Sequence, residues 1–260
     1  MKYLKYILTV VTMVCMAGCY EINEEISINA DGSGSYVTKM DMSQLIEMMQ
    51  TFAGEEELAK EGMDRVIDTT VLMKSLLDSA KEVTPEQREL MKDGKMKLQM
   101  NVKEKVFKMN MDLPFKKLNN LQQLMSGQGG SGGMADVFKN MFGKKGEAQG
   151  ITDQPAPKEP DMSDFAGMYD VTVSNGLISK KVNAEKFKAL TDRPEMAQMK
   201  QLGTTGMEIL YTTTIKLPRA AKKTDNPLMK LSDDKKTVTM KYNLLDLLEH
   251  PEKYSYTIEY

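Results

Sequence analysis

Tryptophan is absent from this 260-residue chain, histidine occurs once, at His250, and cysteine twice, at Cys15 and Cys19. These shortages exclude whole chemistries. Zinc sites built from histidine and cysteine need more ligands than the chain holds. A Ser-His-Asp triad would have to recruit His250, which lies in Leu248-Glu249-His250-Pro251 at the end of a predicted short helix, where a cation favoured by the helix dipole accounts for it. Basic charge is not in excess either: 35 Lys and Arg stand against 37 Asp and Glu, and no basic run is interleaved with aromatics, so a nucleic-acid partner is not expected. The paired carboxylates Asp233-Asp234 and Glu55-Glu56-Glu57 fall in turn and helix-face contexts and read as solvated charge. No catalytic or cofactor signature remains, so the chain is expected to be non-enzymatic, with no cofactor and no metal.

What is present is concentrated at the start. Lys2 and Lys5 precede an uncharged, mostly apolar stretch from Tyr6 to Ala17, long enough for the core of a secretory signal and too short to span a bilayer. Met16-Ala17-Gly18-Cys19 resembles the lipobox of bacterial lipoproteins, with Met16 where that pattern prefers Leu. The resemblance implies cleavage between Gly18 and Cys19, diacylation of the Cys19 thiol and usually acylation of the new amine. An ordinary signal peptide with an incidental Cys19 is the alternative. Cys15 would leave with residues 1–18, and Cys19 would be the single cysteine of the exported chain, so no disulfide forms within it. The mature chain, 19–260, keeps 33 basic against 37 acidic side chains in 242 residues, a formal charge of −4.

Hydrophobic periodicity predicts an α+β fold: an antiparallel sheet made from four hairpin-helix units, with helices packed on it. In the first unit Ile22, Ile26 and Ile28 share a face, Asp31-Gly32-Ser33-Gly34 turns, and Tyr36, Thr38, Met40 and Met42 alternate on the return. Leu45, Met48, Met49 and Phe52 then have helical spacing, with Asp41 and Gln44 as a capping box. The second unit alternates Met96, Leu98, Met100 and Val102, turns at Lys103-Glu104-Lys105, alternates Phe107 to Leu113, and starts its helix after Pro114. The third has Val171 and Val173, the turn Ser174-Asn175-Gly176, a strand over 177–182 and a helix capped by Asn183. The fourth runs Ile209 to Leu217, resumes at Val238, Met240 and Tyr242, and enters a helix at Leu244. Tyr254, Tyr256, Ile258 and Tyr260 form a last strand.

Two segments interrupt this scheme. A mainly helical excursion fills 43–93, with Thr84-Pro85-Glu86-Gln87 as a helix start and β-branched residues within 64–73 favouring a strand there. Residues 126–160 are rich in Gly, Ser, Gln and Pro and read as a flexible insertion carrying one apolar island, 134–142, either a transient helix or a mobile lid. Because each flank offers only a few strands, 19–260 is expected to be one domain.

Methionine is the compositional excess: 24 in all, 21 once Met1, Met13 and Met16 are removed. Met40 and Met42, like Met109 and Met111, share a strand face, which suits core filling, a Cu(I) thioether site or an adaptable apolar cavity. Core filling is the plainest of these, since Ile and Phe hold equivalent positions.

The strand after Cys19, the Asp-Gly-Ser-Gly turn and Met42-Ser43-Gln44-Leu45 resemble the start of LppM-type bacterial lipoproteins. Further along, Lys216-Leu217-Pro218-Arg219 and Asp233-Asp234-Lys235-Lys236 resemble segments of uncharacterised envelope lipoproteins. The lipobox resemblance implies a palmitate-bearing cell-envelope lipoprotein, and the antiparallel α+β pattern, the Met-rich faces and the missing catalytic residues lead to the expectation that it binds a partner protein or an apolar ligand. A structural role through the edge of the last strand is the alternative, and a carboxylate-based hydrolase a more distant one. Tyr20 is not the Asp that resembles an inner-membrane retention signal, which favours the outer membrane, and Glu21, Glu24 and Glu25 add acidity beside the anchor.

Overall fold

The computed structural model describes residues 19–54, 66–79, 83–128, 162–194, 196 and 208–260. The expected leader 1–18, the apolar island 134–142 and nearly all of the expected insertion 126–160 lie outside the described residues.

Strands dominate, and they form two sheets rather than the one expected. The strands are β1 Cys19–Ile28, β2 Gly34–Asp41, β3 Ile67–Leu72, β4 Lys95–Asn101, β5 Val106–Phe115, β6 Tyr169–Ser174, β7 Leu177–Val182, β8 Glu208–Lys216, β9 Lys223–Thr224, β10 Lys230–Leu231, β11 Thr237–Asn243 and β12 Tyr256–Glu259. The described helices are α1 Ser43–Ala53, α2 Met73–Ser79, α3 Pro85–Met91, α4 Leu118–Met125, α5 Met162–Gly167, α6 Ala184–Thr191 and α7 Leu244–Glu249, and a 3₁₀ turn spans Pro251–Tyr254. The larger sheet has the order β10-β11-β8-β1-β2-β5-β4-β3, and the smaller β6-β7-β12-β9.

The strands of all four units form at the segments where the alternation places them. The third unit does not extend the main sheet; with β12 it makes the second one. The main sheet is also not wholly antiparallel, because β1 pairs with β8 in parallel, from Cys19 opposite Glu208 to Ser27 opposite Lys216. Local periodicity carries no information about that union of the first strand with one about 190 residues later.

Alternation shows directly in the sheet. Across one face, rows run Tyr242-Tyr211-Ile22-Met40-Met109-Leu98, then Met240-Thr213-Glu24-Thr38-Met111-Met96, then Val238-Ile215-Ile26-Tyr36-Leu113. Most of these side chains are buried, and one continuous core joins them to Tyr169, Val173, Ile178, Tyr256 and Ile258 of the smaller sheet. Met96 of β4, Met109 of β5 and Met240 of β11 lie within that core, and Met111 packs against it. The opposite face is polar and laced with ion pairs such as Lys108–Asp41 at 2.9 Å and Lys97–Asp68 at 3.4 Å. Exposed pairs of this kind each contribute at most about 1 kcal/mol.

Several local expectations need correction. The strand favoured within 64–73 of the mainly helical excursion 43–93 is not among them: it forms as β3, an outer strand of the main sheet paired with β4 from Ile67 opposite Met100 to Leu72 opposite Lys95. Phe115 ends β5 instead of opening a helix, and α4 starts at Leu118. Asp41 does not cap through Gln44; its Oδ1 accepts from the Ser43 backbone N–H at 3.0 Å, ahead of a helix whose N-cap Met42 makes no side-chain bond. The predicted capping box at Thr84 and Gln87 does form, in both directions, and Asn183 caps α6.

Strand β12 is not a free edge. It pairs with β7 on one side and β9 on the other, and Thr257 N–H donates to Asp225 Oδ1. Arg219 closes this corner: its guanidinium lies 5.4 Å from the centre of the Tyr260 ring and donates to Asn175 Oδ1 at 3.0 Å. The assembly role through an edge at 254–260 therefore loses its edge.

Gly34 sits where β1, β2 and β5 meet, and a Cβ there would lie 1.9 Å from the Ser27 carbonyl oxygen and 2.5 Å from Phe115 Cζ. Gly34→Ala is expected to destabilise the fold by about 2–4 kcal/mol, while Gly167→Ala, whose Cβ meets nothing within 4 Å, changes stability by no more than about 1 kcal/mol. Urea unfolding monitored by circular dichroism checks both.

Candidate functional site

Three features converge on the first strand: the cysteine that opens it, a groove on its polar face and a buried carboxylate on its apolar face. Cys19 is itself the first residue of β1, three residues earlier than Ile22, and its backbone is in register with Glu208. Any group carried by Cys19 is thus attached to a central strand of the main sheet with no intervening linker.

On the polar face, two rows of the register, Lys241-Thr212-Asn23 and Asn243-Leu210-Glu21, form the walls of a groove of about 310 Å³, with Tyr211 and Tyr242 also in its lining. Its volume is at the bottom of the ligand-pocket range of about 300–1,000 Å³, and its lining is more polar than such pockets usually have. Leu210 is its exposed apolar contact, at 37%. Asn243 is already committed, its Oδ1 accepting from the Ile209 and Leu245 backbones at 3.3 and 3.0 Å.

On the apolar face Glu24 is 2% exposed. Its Oε1 accepts a short hydrogen bond from the Tyr36 hydroxyl, and its Oε2 accepts from Thr213 Oγ1 at 2.9 Å. Tyr36 comes from β2 and Thr213 from β8, so one carboxylate joins the strands on both sides of β1. Glu24 therefore does not join Glu21 and Glu25 in an acidic surface near Cys19, as their sequence positions suggest. The Ile22, Glu24, Ile26 alternation was the signal that could have found it.

Tyrosines crowd around this charge. Tyr211 stacks on Tyr242 with ring centres 5.1 Å apart, and Tyr242 lies 4.6 Å from Tyr254. From the smaller sheet, Lys180 is 7% exposed with its Nζ 4.6 Å from the centre of the Tyr169 ring. Burial, followed by the nearby Glu24 charge, drives the Tyr36, Tyr169, Tyr211 and Tyr256 phenols far above the ordinary tyrosine value. Burial and then Tyr211 do the same for Tyr242. The Tyr256 hydroxyl, fully buried, has no hydrogen-bond partner among the described residues.

The remaining candidates separate from this site. His250 caps the C-terminal end of α7 as expected, its side chain exposed and its Nδ1 3.7 Å from Glu252. Asp246, Glu249 and His250 place possible ligand atoms within 4.8 Å of one another, but Asp246 already accepts from the Tyr254 hydroxyl. Gly18 lies outside the described residues.

The Glu24 network yields two tests. Tyr36→Phe leaves a buried carboxylate oxygen without its donor and is expected to cost about 1–3 kcal/mol, whereas Tyr256→Phe removes a buried hydroxyl that bonds to nothing and is expected to be neutral or stabilising in urea titrations. All eight tyrosines of 19–260 have raised pKa values. A phenol harder to ionise in the folded chain than in the unfolded one supports folding fully below pH of about 10 and loses that support as pH rises further. Ultraviolet titration is expected to show little phenolate at pH 10, then a steep rise coinciding with loss of circular dichroism.

No protein-family profile matches the chain, and no curated protein matches it. Among solved structures, the chain is similar to the folded domain of Mycobacterium tuberculosis LppM, determined by NMR, with 9% identity, coverage of 93% of this chain and 90% of that chain, and a TM-score of 0.34.

Proposed function

We propose that this protein is a lipid-anchored component of the bacterial cell envelope, non-enzymatic, which presents the polar face of its main sheet to a partner protein. The observation that carries the reading is the position of the lipobox cysteine as the first residue of a central strand, four residues before the last residue that strand gives to the groove. An acylated Cys19 would hold the groove at the membrane, and two or three acyl chains at about 0.8 kcal/mol per buried CH₂ make such attachment effectively permanent. Glu21, Asn23, Thr212 and Lys241 offer hydrogen-bonding and charged groups around the exposed Leu210. That chemistry suits a polar protein surface with one apolar contact better than a free apolar ligand. Outer-membrane delivery is the preferred destination, on the strength of Tyr20 after the anchor.

Expression in a lipoprotein-processing bacterium is expected to give a mature protein that starts at Cys19 and carries acyl mass, found in the membrane fraction. Cys19→Ser is expected to abolish acylation and block cleavage at Gly18. Intact-mass spectrometry with membrane fractionation reads both results, and unmodified Cys19 in an exported soluble protein would refute the anchor. Leu210→Glu in the acylated protein is then expected to weaken cross-linking to its envelope partner at least tenfold with the fold unchanged.

A further inference from the structure

The register of the main sheet says which part of the molecule an anchor at Cys19 would press against the bilayer. Cys19 and Glu208 begin the parallel pair β1 and β8. In the antiparallel neighbours, β2 finishes at Asp41, β4 finishes at Asn101 opposite Val106, where β5 starts, and β3 starts at Ile67. Cys19, the start of α1 at Ser43, the turn 102–105 and Val66 therefore share one end of the sheet. The Asp31-Gly34 turn and the 232–236 turn share the other.

We propose that this Cys19 end is a lipid-facing surface, on which the sheet stands with its strands running away from the bilayer. The proposal rests on the anchor reading above and adds an orientation to it. The absence of a linker is the first support: β1 is paired from its first residue with β8 and from Glu21 with β2, so an acylated Cys19 cannot swing away from the sheet that holds it. The surface chemistry at that end is the second. Val66 is 70% exposed, and Lys103 is exposed in the turn with no partner among the described residues. Two nearby carboxylates are already neutralised, Glu47 by Lys105 at 2.8 Å and Asp41 by Lys108 at 2.9 Å. Next to the exposed Glu104 of the same turn, and at the same end of the sheet as the exposed Val66, the Lys103 ammonium on its aliphatic stem suits the headgroup region, where the stem lies on the apolar boundary and the charge on phosphate. From Cys19 to Ser27 the strand advances about 26 Å at ~3.3 Å per residue, so the 232–236 turn would stand well clear of the lipid.

The test uses the full acylated protein in vesicles of phosphatidylethanolamine and phosphatidylglycerol. Lys103→Cys and, separately, Asp233→Cys are labelled with an environment-sensitive fluorophore, and quenching by nitroxide-bearing lipids is measured, with Glu104→Cys as a second label at the Cys19 end. Quenching at positions 103 and 104 is expected to exceed that at 233 at least fivefold. Equal quenching, or stronger quenching at 233, would overturn the orientation while leaving the anchor intact. Intact mass before labelling separates the two failures: a chain without acyl groups defeats the anchor reading itself, and the orientation with it.

Discussion

The parallel pairing of β1 with β8 is the constraint on which the rest of the structure depends. Without it the main sheet would fall into two pieces, β1-β2-β5-β4-β3 from the first half of the chain and β8-β11-β10 from the last third. Glu24 lies at this seam. It takes one hydrogen bond from Tyr36 within the first piece and one from Thr213 in the second, across 189 positions of sequence. A carboxylate is an expensive choice for such a place, since an ionised group deprived of water is tolerated only when its oxygens find donors. The bond to Thr213 does not by itself fix the register, because a one-residue shift of β8 would bring Thr212 or Thr214 opposite Glu24; it is the accompanying loss of Tyr211 and Ile215 from the core face that opposes the shift.

The smaller sheet covers this seam. Its inner face brings Tyr169, Tyr256 and Lys180 toward the region of Glu24, and the core is continuous between the sheets. Lys180 is buried in the smaller sheet with its Nζ 4.6 Å from the centre of the Tyr169 ring, and Glu24 is buried in the main sheet. The polar interior is thus limited to a few residues in a core otherwise filled by Met, Ile, Leu and Val. The opposite face of the main sheet is left to water and ion pairs.

Sequence patterns made the local units legible and the long-range ones not. The four strand pairs and their following helices appear because alternation, turn residues and caps such as Asn183 are encoded locally, most compactly in the third unit, 169–191. Nothing within one unit says whether it joins its predecessor's sheet, so β6 and β7 were assigned to the wrong one. Glu24 was visible in the alternation of β1, yet its neighbours Glu21 and Glu25 on the solvent face made all three look like surface charge. The groove could not be seen at all, because its two rows draw on β1, β8 and β11, which come together only through the parallel pairing. Cys19 drew attention by its short local motif, which says nothing of its place as the opening residue of a strand.

Native-state hydrogen exchange tests the dependence of the fold on this seam most directly. If β1 and β8 unite the sheet, the amides of 22–27 and 210–216 exchange only through global unfolding, with the same opening free energy and the same denaturant dependence. Exchange of β8 and β11 as a separate unit, at a free energy well below that of β1, β2 and β5, would contradict the account.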